Sequence, residues 1–451
     1  MRGRVEPMIE RLRTELNRSL FVPAPEDAFR FRGREGVVVL VAFLFLAASL
    51  ELLRAGPTES IKALFAEDGP VYLGGALSHG FFDSVTSTYA EYLVVIPRLL
   101  GEAGAVVPIR YAPEAMNLGS LLIVGLSAVA VWFGSEGLVR SAYLRALLVV
   151  LLLLSPTSGL ETVVSPTNTP WYTSFAVFWL LLWRPASGWG AGLGSAMIFL
   201  SGLSSPVAFF FVPLAVLRAV AIENRRDALV VGSYFVSLAV QLPVTALSSE
   251  NYSQPSWTTN ILTTFLQRVV EGAVLGLELG GEAWAEWGWP FLVAICIGFA
   301  AFLLWLGLRA SSGRLFALLA VATAVVMFLA SGYQRSLGAL MVWGADGYNT
   351  LGGRYAMIPG LLLASAAIVL ADSHLRAPRA RAWPAVAVGV VLAVAMVTSF
   401  GGDAGRQMPS WKESVREGAA ECRTKGLEAA TVLISPEGWS MGVPCDQLES
   451  E

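Results

Sequence analysis

The chain is apolar almost without a break from Gly36 to about Leu53, and comparable runs recur as far as Phe400. A helix needs roughly 17–25 apolar residues to cross the hydrocarbon of a bilayer, where an unpaired backbone group has no water to bond. By that length rule, spans fall near 37–54, 114–134, 143–158, 170–183, 188–203, 206–221, 228–246, 289–308, 314–331, 353–371 and 383–400. Composition agrees with so many spans. Of 451 residues 55% are hydrophobic and 14% charged, and the mean hydropathy is +0.61, far from the balance of soluble globular chains. The expected fold class is an all-α polytopic integral membrane protein with about eleven transmembrane helices.

Charge gives the chain a direction. A formal net charge of -3, with no basic runs interleaved with aromatics, argues against a nucleic-acid partner. Residues 1–36 mix arginines with acids and are followed by no small-residue cleavage site, so they read as a retained cytoplasmic segment. Within it Ile9, Leu12 and Leu16 recur at helical spacing beneath an arginine-rich face, which suits a helix on the inner leaflet; a disordered basic tail is the alternative. Short cytoplasmic loops carry the excess of arginine and lysine in membrane proteins. With the N-terminus inside, Arg140 and Arg145, Arg184, Arg225 and Arg226, Arg309 and Arg314, and the run from His374 to Arg381 all fall inside. Glu67 and Asp68, Glu161, Glu250, the stretch Glu278 to Glu286, and Asp346 then fall outside. The localisation expected is the inner, cytoplasmic membrane.

An odd span count leaves residues 401–451 outside as a small α/β cap on the membrane domain of residues 37–400. Ser410 and Glu413 have the spacing of a capping box opening a helix that presents Trp411, Val415 and Ala419, and "ATVLI" follows as a strand. Cys296 sits in an apolar span and reads as a small buried hydrophobe. Cys422 and Cys445 share the outer tail, where such a pair commonly forms a disulfide, two free thiols being the alternative. No CxxC pair, HExxH, Walker loop or dinucleotide fingerprint is present. No internal repeat stands out, which weakens the case for a transporter of duplicated halves.

The polar chemistry gathers between Phe65 and Glu102, inside a first outer loop running from about 55 to 111. "FAEDGPVYLGGAL" opens with adjacent carboxylates, and "YAEYLVVIPRL" adds tyrosines and a lone arginine. Its apolar stretches suit helices lying along the membrane surface. Together with "SPTNTPWY" and "GGRYAMIP", this pattern resembles the membrane-embedded glycosyltransferases of the GT-C fold over most of residues 37–400. The resemblance implies a donor sugar on a polyprenyl phosphate or pyrophosphate, and a catalytic base from the first outer loop at Asp68, with Glu67 second.

Sugar transfer from such a donor needs a base for the acceptor hydroxyl and a fixed cation for the departing phosphate. Arginine suits the second role because its planar fork clamps phosphate oxygens. Arg98, Arg354 and Arg335 are the expected phosphate ligands. Tyr89, Tyr92, His79, Glu161, Asn168, Trp171 and Tyr355 are the further substrate-binding candidates. Each has a structural counterpart: the acids cap a helix, the arginines pair or reach for headgroups, and Trp171 anchors at the interface. Runs such as "LSGLSSPVAFFFVPL" (Leu200 to Leu214) kink helices around a lipid groove, or serve plain helix crossings. Bound Mg or Mn would need an oxygen ligand beyond Glu67 and Asp68. The expected partners are the lipid-linked donor, a glycan, lipid or protein acceptor, and membrane lipids. A transporter or flippase of lipid-linked sugars would instead place its ionisable groups within the spans, and a non-catalytic envelope-assembly partner could share the fold.

Overall fold

The computed structural model describes residues 2–25, 33–56, 60–248, 260–335, 352–377, 381–400 and 410–449. Glu250, Asp346 and the arginine-bearing segment 378–380 lie outside them. The chain folds as an all-α membrane protein with two small hairpins. Among the described residues six helices are long and apolar enough to cross a bilayer: Arg34–Ala55, Ile109–Gly134, Arg225–Leu247, Leu277–Arg309, Arg314–Gln334 and Arg354–Leu375. The last of these is buried along its whole tested window, packed against Arg314–Gln334, Leu277–Arg309 and several shorter helices.

Four of the five remaining expected spans are shorter than predicted, and the fifth, 170–183, is a helix of the predicted 14 residues. Ala142–Leu153, Thr169–Leu182 and Trp383–Val397 are helices of 12, 14 and 15 residues. At 1.5 Å per residue each falls short of a hydrocarbon core of about 30 Å. The expected spans 188–203 and 206–221 form one bent pair, Gly188–Gly202 and Pro206–Val220, at 118° to each other. Proline explains where these elements stop or start. Pro170 and Pro206 occupy first-turn positions, where a missing N–H costs nothing; a short 3₁₀ turn, Pro166–Asn168, leads into the first of these helices, and Ser205 before the second is extended.

Two ends of the bundle carry different chemistry. At one end Leu16, Leu20 and Phe21 of the N-terminal helix Arg2–Ser19 and its turn are buried, while Ile9 and Leu12 stay exposed. Arg218, fully buried, lies over the Phe21 ring and pairs with Asp227 at 2.5 Å. Asp372 accepts the backbone N–H groups of Arg140 at 3.1 Å and Ser141 at 2.8 Å, and pairs with Arg376. The arginine-bearing turns around 140, 184, 225 and 376 therefore gather beside the N-terminal helix.

At the other end the first loop and the C-terminal cap share one core. Leu64, Tyr72, Leu73 and Ile109 pack with Trp411, Val432, Ile434 and Met441. The cap is the helix Trp411–Lys425, antiparallel strands β3 (Ala429–Ile434) and β4 (Trp439–Pro444), and the helix Cys445–Glu449. Cys422 and Cys445 are joined by a disulfide. Trp411, Val415 and Ala419 face inward as their spacing predicts. The capping box does not close: Ser410 makes no side-chain cap, and Glu413 turns to Arg416 at 3.3 Å.

Candidate functional site

Glu67 and Asp68 sit in one tight turn, Ala66–Asp68, which runs into a π-helical turn, Gly69–Leu73. Adjacent residues on a helical turn diverge by about 100°, so the two carboxylates cannot share a site. Asp68 turns inward and is fully buried. Its Oδ1 accepts the Thr167 backbone N–H at 2.8 Å and the Thr167 hydroxyl at 2.5 Å, while Oδ2 accepts from the Phe65 N–H at 3.3 Å and the Ser165 hydroxyl at 3.4 Å. Burial pushes its carboxyl up to about 7, against the pull of these donors. Glu67 turns outward, half-buried, into a cleft of about 170 Å³.

A hairpin of strands β1 (Thr88–Tyr89) and β2 (Tyr92–Leu93) supplies the first aromatic wall. Its two turn residues, Ala90 and Glu91, both have positive φ, as a two-residue hairpin turn of the primed kind demands. Gln241 holds the hairpin by exchanging hydrogen bonds with the Leu93 N–H at 3.3 Å and carbonyl at 3.2 Å. The hairpin brings the Tyr89 hydroxyl to Glu67 Oε1 at 3.3 Å and Tyr92 to the cleft wall. Burial pushes the Tyr92 hydroxyl up to about 12, against the opposing pull of Arg335 and Arg354.

The opposite wall comes from the start of the central helix. Arg354 and Tyr355 line the cleft together with Trp171 and Arg335. Trp171 meets Tyr355 edge-on at 5.3 Å, and the Arg354 guanidinium lies 5.5 Å from the Tyr355 ring centre. Glu161 caps this helix, its Oε1 accepting the Arg354 backbone N–H at 2.6 Å. Burial raises the Glu161 carboxyl, with Arg354 and then Arg268 opposing the rise. The apex of the bent helix pair, with Ser204, Ser205, Phe209 and Phe210, closes the third side.

Seven of the predicted site residues thus face one cleft: Glu67, Tyr89, Tyr92, Trp171, Arg335, Arg354 and Tyr355. Others are placed elsewhere. Asp68 stands behind the wall as the tie to Thr167. Arg98 is not among the cleft residues; its guanidinium donates to the carbonyls of Val71 at 2.6 Å and Thr88 at 3.2 Å and lies over the Tyr72 ring, stapling the π-helical turn to the hairpin. His79 is exposed at the end of a short helix, with Nδ1 beside the Gly75 carbonyl. Asn168 is buried and donates to the Glu161 carbonyl at 2.9 Å and the Ser165 hydroxyl at 3.1 Å, so it shapes the second loop rather than meeting a ligand.

Sequence reasoning missed Thr167, Gln334 and the buried Arg268. Ser204 and Ser205 lie in the serine- and proline-rich run for which a lipid groove and plain helix crossings were both open readings. Among the described residues no group of three or more His, Cys, Asp or Glu side chains is placed to hold a metal ion. Both Asp68 oxygens accept hydrogen bonds. What the cleft can do is bind an anion beside two guanidinium groups, stack a ring on aromatics and present one carboxylate. No protein-family model matches this chain, and no curated protein is similar to it.

Proposed function

We propose that the chain is a membrane glycosyltransferase of GT-C type. It transfers a sugar from a polyprenyl-phosphate-linked donor to an envelope glycan, glycolipid or protein acceptor at the outer face of the cytoplasmic membrane. The observation that carries this reading is the convergence of Glu67, Arg335 and Arg354 on one aromatic-lined cleft at the loop-rich end. In this mechanism Glu67, rather than the expected Asp68, is the general base. The acceptor hydroxyl gives its proton to the Glu67 carboxylate as its oxygen bonds to the anomeric carbon. The bond from that carbon to the phosphate oxygen breaks, and the phosphate leaves with the electron pair beside Arg354 and Arg335. Tyr89 orients Glu67 through its 3.3 Å hydrogen bond. The apolar edge formed by Phe209 and Phe210 suits a lipid-linked donor entering from the membrane.

The arrangement of the two ends supports a cytoplasmic N-terminus and an extracytoplasmic cap. The test is transfer from a panel of synthetic polyprenyl-phosphate sugars in nanodiscs, with Glu67→Gln and Arg354→Ala beside the parent.

One observation favours the transport alternative. Glu271, fully buried in the π-helical turn Leu266–Glu271, has both carboxylate oxygens without a hydrogen-bond partner among the described residues. A buried ionisable group of that kind is what a proton- or ion-coupled carrier uses. Translocation of a fluorescent lipid-linked sugar in proteoliposomes, lost in Glu271→Gln and kept in Glu67→Gln, would select that function instead.

A further inference from the structure

The cap contributes no residue to the cleft, yet it is bonded to the turn that aims Glu67 into it. The Ser435 N–H donates to the Leu64 carbonyl at 3.0 Å, and the Ala66 N–H donates to the Ser435 carbonyl at 2.5 Å, forming a parallel bridge between Phe65 and Ser435. These bonds flank Phe65, and immediately after the second of them Ala66 adopts φ +48°. A non-glycine residue in that left-handed region costs of order 1 kcal/mol or more and persists only where its surroundings over-determine it. Three residues on, Gly69 lies against the cap so closely that a Cβ there would stand 2.8 Å from Ile434 Cδ1 and 3.2 Å from Met441 Sδ. Tyr72 and Val94, which line the cleft, belong to the same core as Ile434 and Met441. Trp411 donates its indole N–H to the Ile109 carbonyl at 2.9 Å, and Lys412 pairs with Glu114 at 3.1 Å, closing the contact at the loop's far end.

We propose that the cap is a positioning element of the site: Ser435, Ile434 and Met441 clamp the Leu64–Gly69 backbone in the one conformation that sends Glu67 into the cleft and Asp68 behind it. The proposal rests on the transferase reading only for its consequence in turnover. Without the clamp, Ala66 relaxes to negative φ and the following turn rotates. Both carboxylates then leave their places together, while Arg354 and Arg335, held by other elements, keep theirs.

The test uses the full chain in detergent or nanodiscs and needs no sugar transfer. Gly69→Ala adds a methyl group against Ile434 Cδ1, and Ile434→Val removes that atom. Backbone hydrogen exchange over 64–73 should rise about tenfold in Gly69→Ala with exchange over the cap helix 411–425 unchanged, and return to the parent level in the double variant. If Gly69→Ala fails to insert, Met441→Ala, which removes packing beneath Gly69 without adding an atom, should give the same local rise. Unchanged exchange over 64–73, or a rise that Ile434→Val does not reverse, overturns the clamp. Where transfer is measurable, Gly69→Ala should lower kcat by about 10²-fold while KM for the donor stays near the parent's. A raised KM with kcat intact contradicts the proposal. Local loosening without detectable transfer from any donor supports the clamp and counts against the transferase reading alone.

Discussion

Asp68 Oδ1 accepts both the backbone N–H and the hydroxyl of Thr167, at 2.8 and 2.5 Å. That pair of hydrogen bonds joins the first long loop to the segment around Thr167 across 99 positions of sequence. It also fixes the roles of two neighbouring carboxylates, because a turn that commits Asp68 to Thr167 commits Glu67 to the cleft.

Thr167→Val keeps the shape and removes one donor to a buried carboxylate. The expected loss is about 1.5–3 kcal/mol when Asp68 is ionised, since hydrogen bonds to charged groups are worth that much. The bond favours the ionised form, so its loss hurts more as pH rises through about 7. Thermal unfolding at pH 5 and pH 8 should show a gap between variant and parent that widens at the higher pH. A gap independent of pH would mean that the hydroxyl does not serve the carboxylate.

Asp68 makes its own contribution to pH dependence. Burial pushes its carboxyl up to about 7 in the fold, above its ordinary value of 3.8, so the folded chain binds this proton more tightly than the unfolded one. The associated stability is fully present below pH about 4 and is lost as pH rises to about 7. Asp68→Asn should flatten the fall of the unfolding midpoint over that window. An unaltered slope would place the titration elsewhere.

Arg354→Ala should weaken binding of the donor and slow transfer by about 10²–10³-fold, the scale for removing one preorganised stabiliser of developing charge. Arg354→Lys should rescue in part, restoring the charge without the planar fork. Full rescue by lysine would show that a point charge suffices.

Replacing both Cys422 and Cys445 by serine should destabilise the cap by about 3 kcal/mol on the chain-entropy model, their separation being 23 positions. Limited proteolysis should then release cap fragments faster than from the parent. Equal resistance would show that the packing of Trp411, Val432 and Leu448 is enough by itself.

Much of the site was legible because a charge or a cluster of aromatic hydroxyls in so apolar a chain needs a reason. Glu67, Tyr89, Tyr92, Arg335 and Arg354 were each found by that argument and converge on one cleft. The cap helix and "ATVLI" were readable from their 3.6-residue and strand periodicities. Which acid faces the cleft was not, because the φ of Ala66 is held by Ser435, far along the chain. The place of Arg98 was not legible for a related reason: its partners are backbone carbonyls of Val71 and Thr88, and main-chain acceptors leave no mark in sequence. Apolar content likewise identified membrane segments but not their lengths, since the helices around Ser155 to Pro170 and Ser204 to Pro206 are cut short by turns that themselves build the site.

Topology can be checked with single cysteines at exposed positions. Asp83→Cys and Ser410→Cys should react with an impermeant maleimide from outside intact cells, and Arg225→Cys only after permeabilisation, as the positive-inside rule requires. Opposite labelling of positions 83 and 410 would contradict a shared core between first loop and cap.

The most direct measurement compares Glu67→Gln and Asp68→Asn in the polyprenyl-phosphate-sugar transfer assay, with donor binding measured alongside. Glu67→Gln should unfold at the parent temperature and bind donor, yet turn over about 10²–10⁴-fold more slowly, the cost of losing a positioned base. Asp68→Asn should change the unfolding midpoint and retain more turnover than Glu67→Gln. Parent-level turnover in Glu67→Gln, with a donor that the parent demonstrably uses, would contradict Glu67 as the base and the chemistry assigned to the cleft.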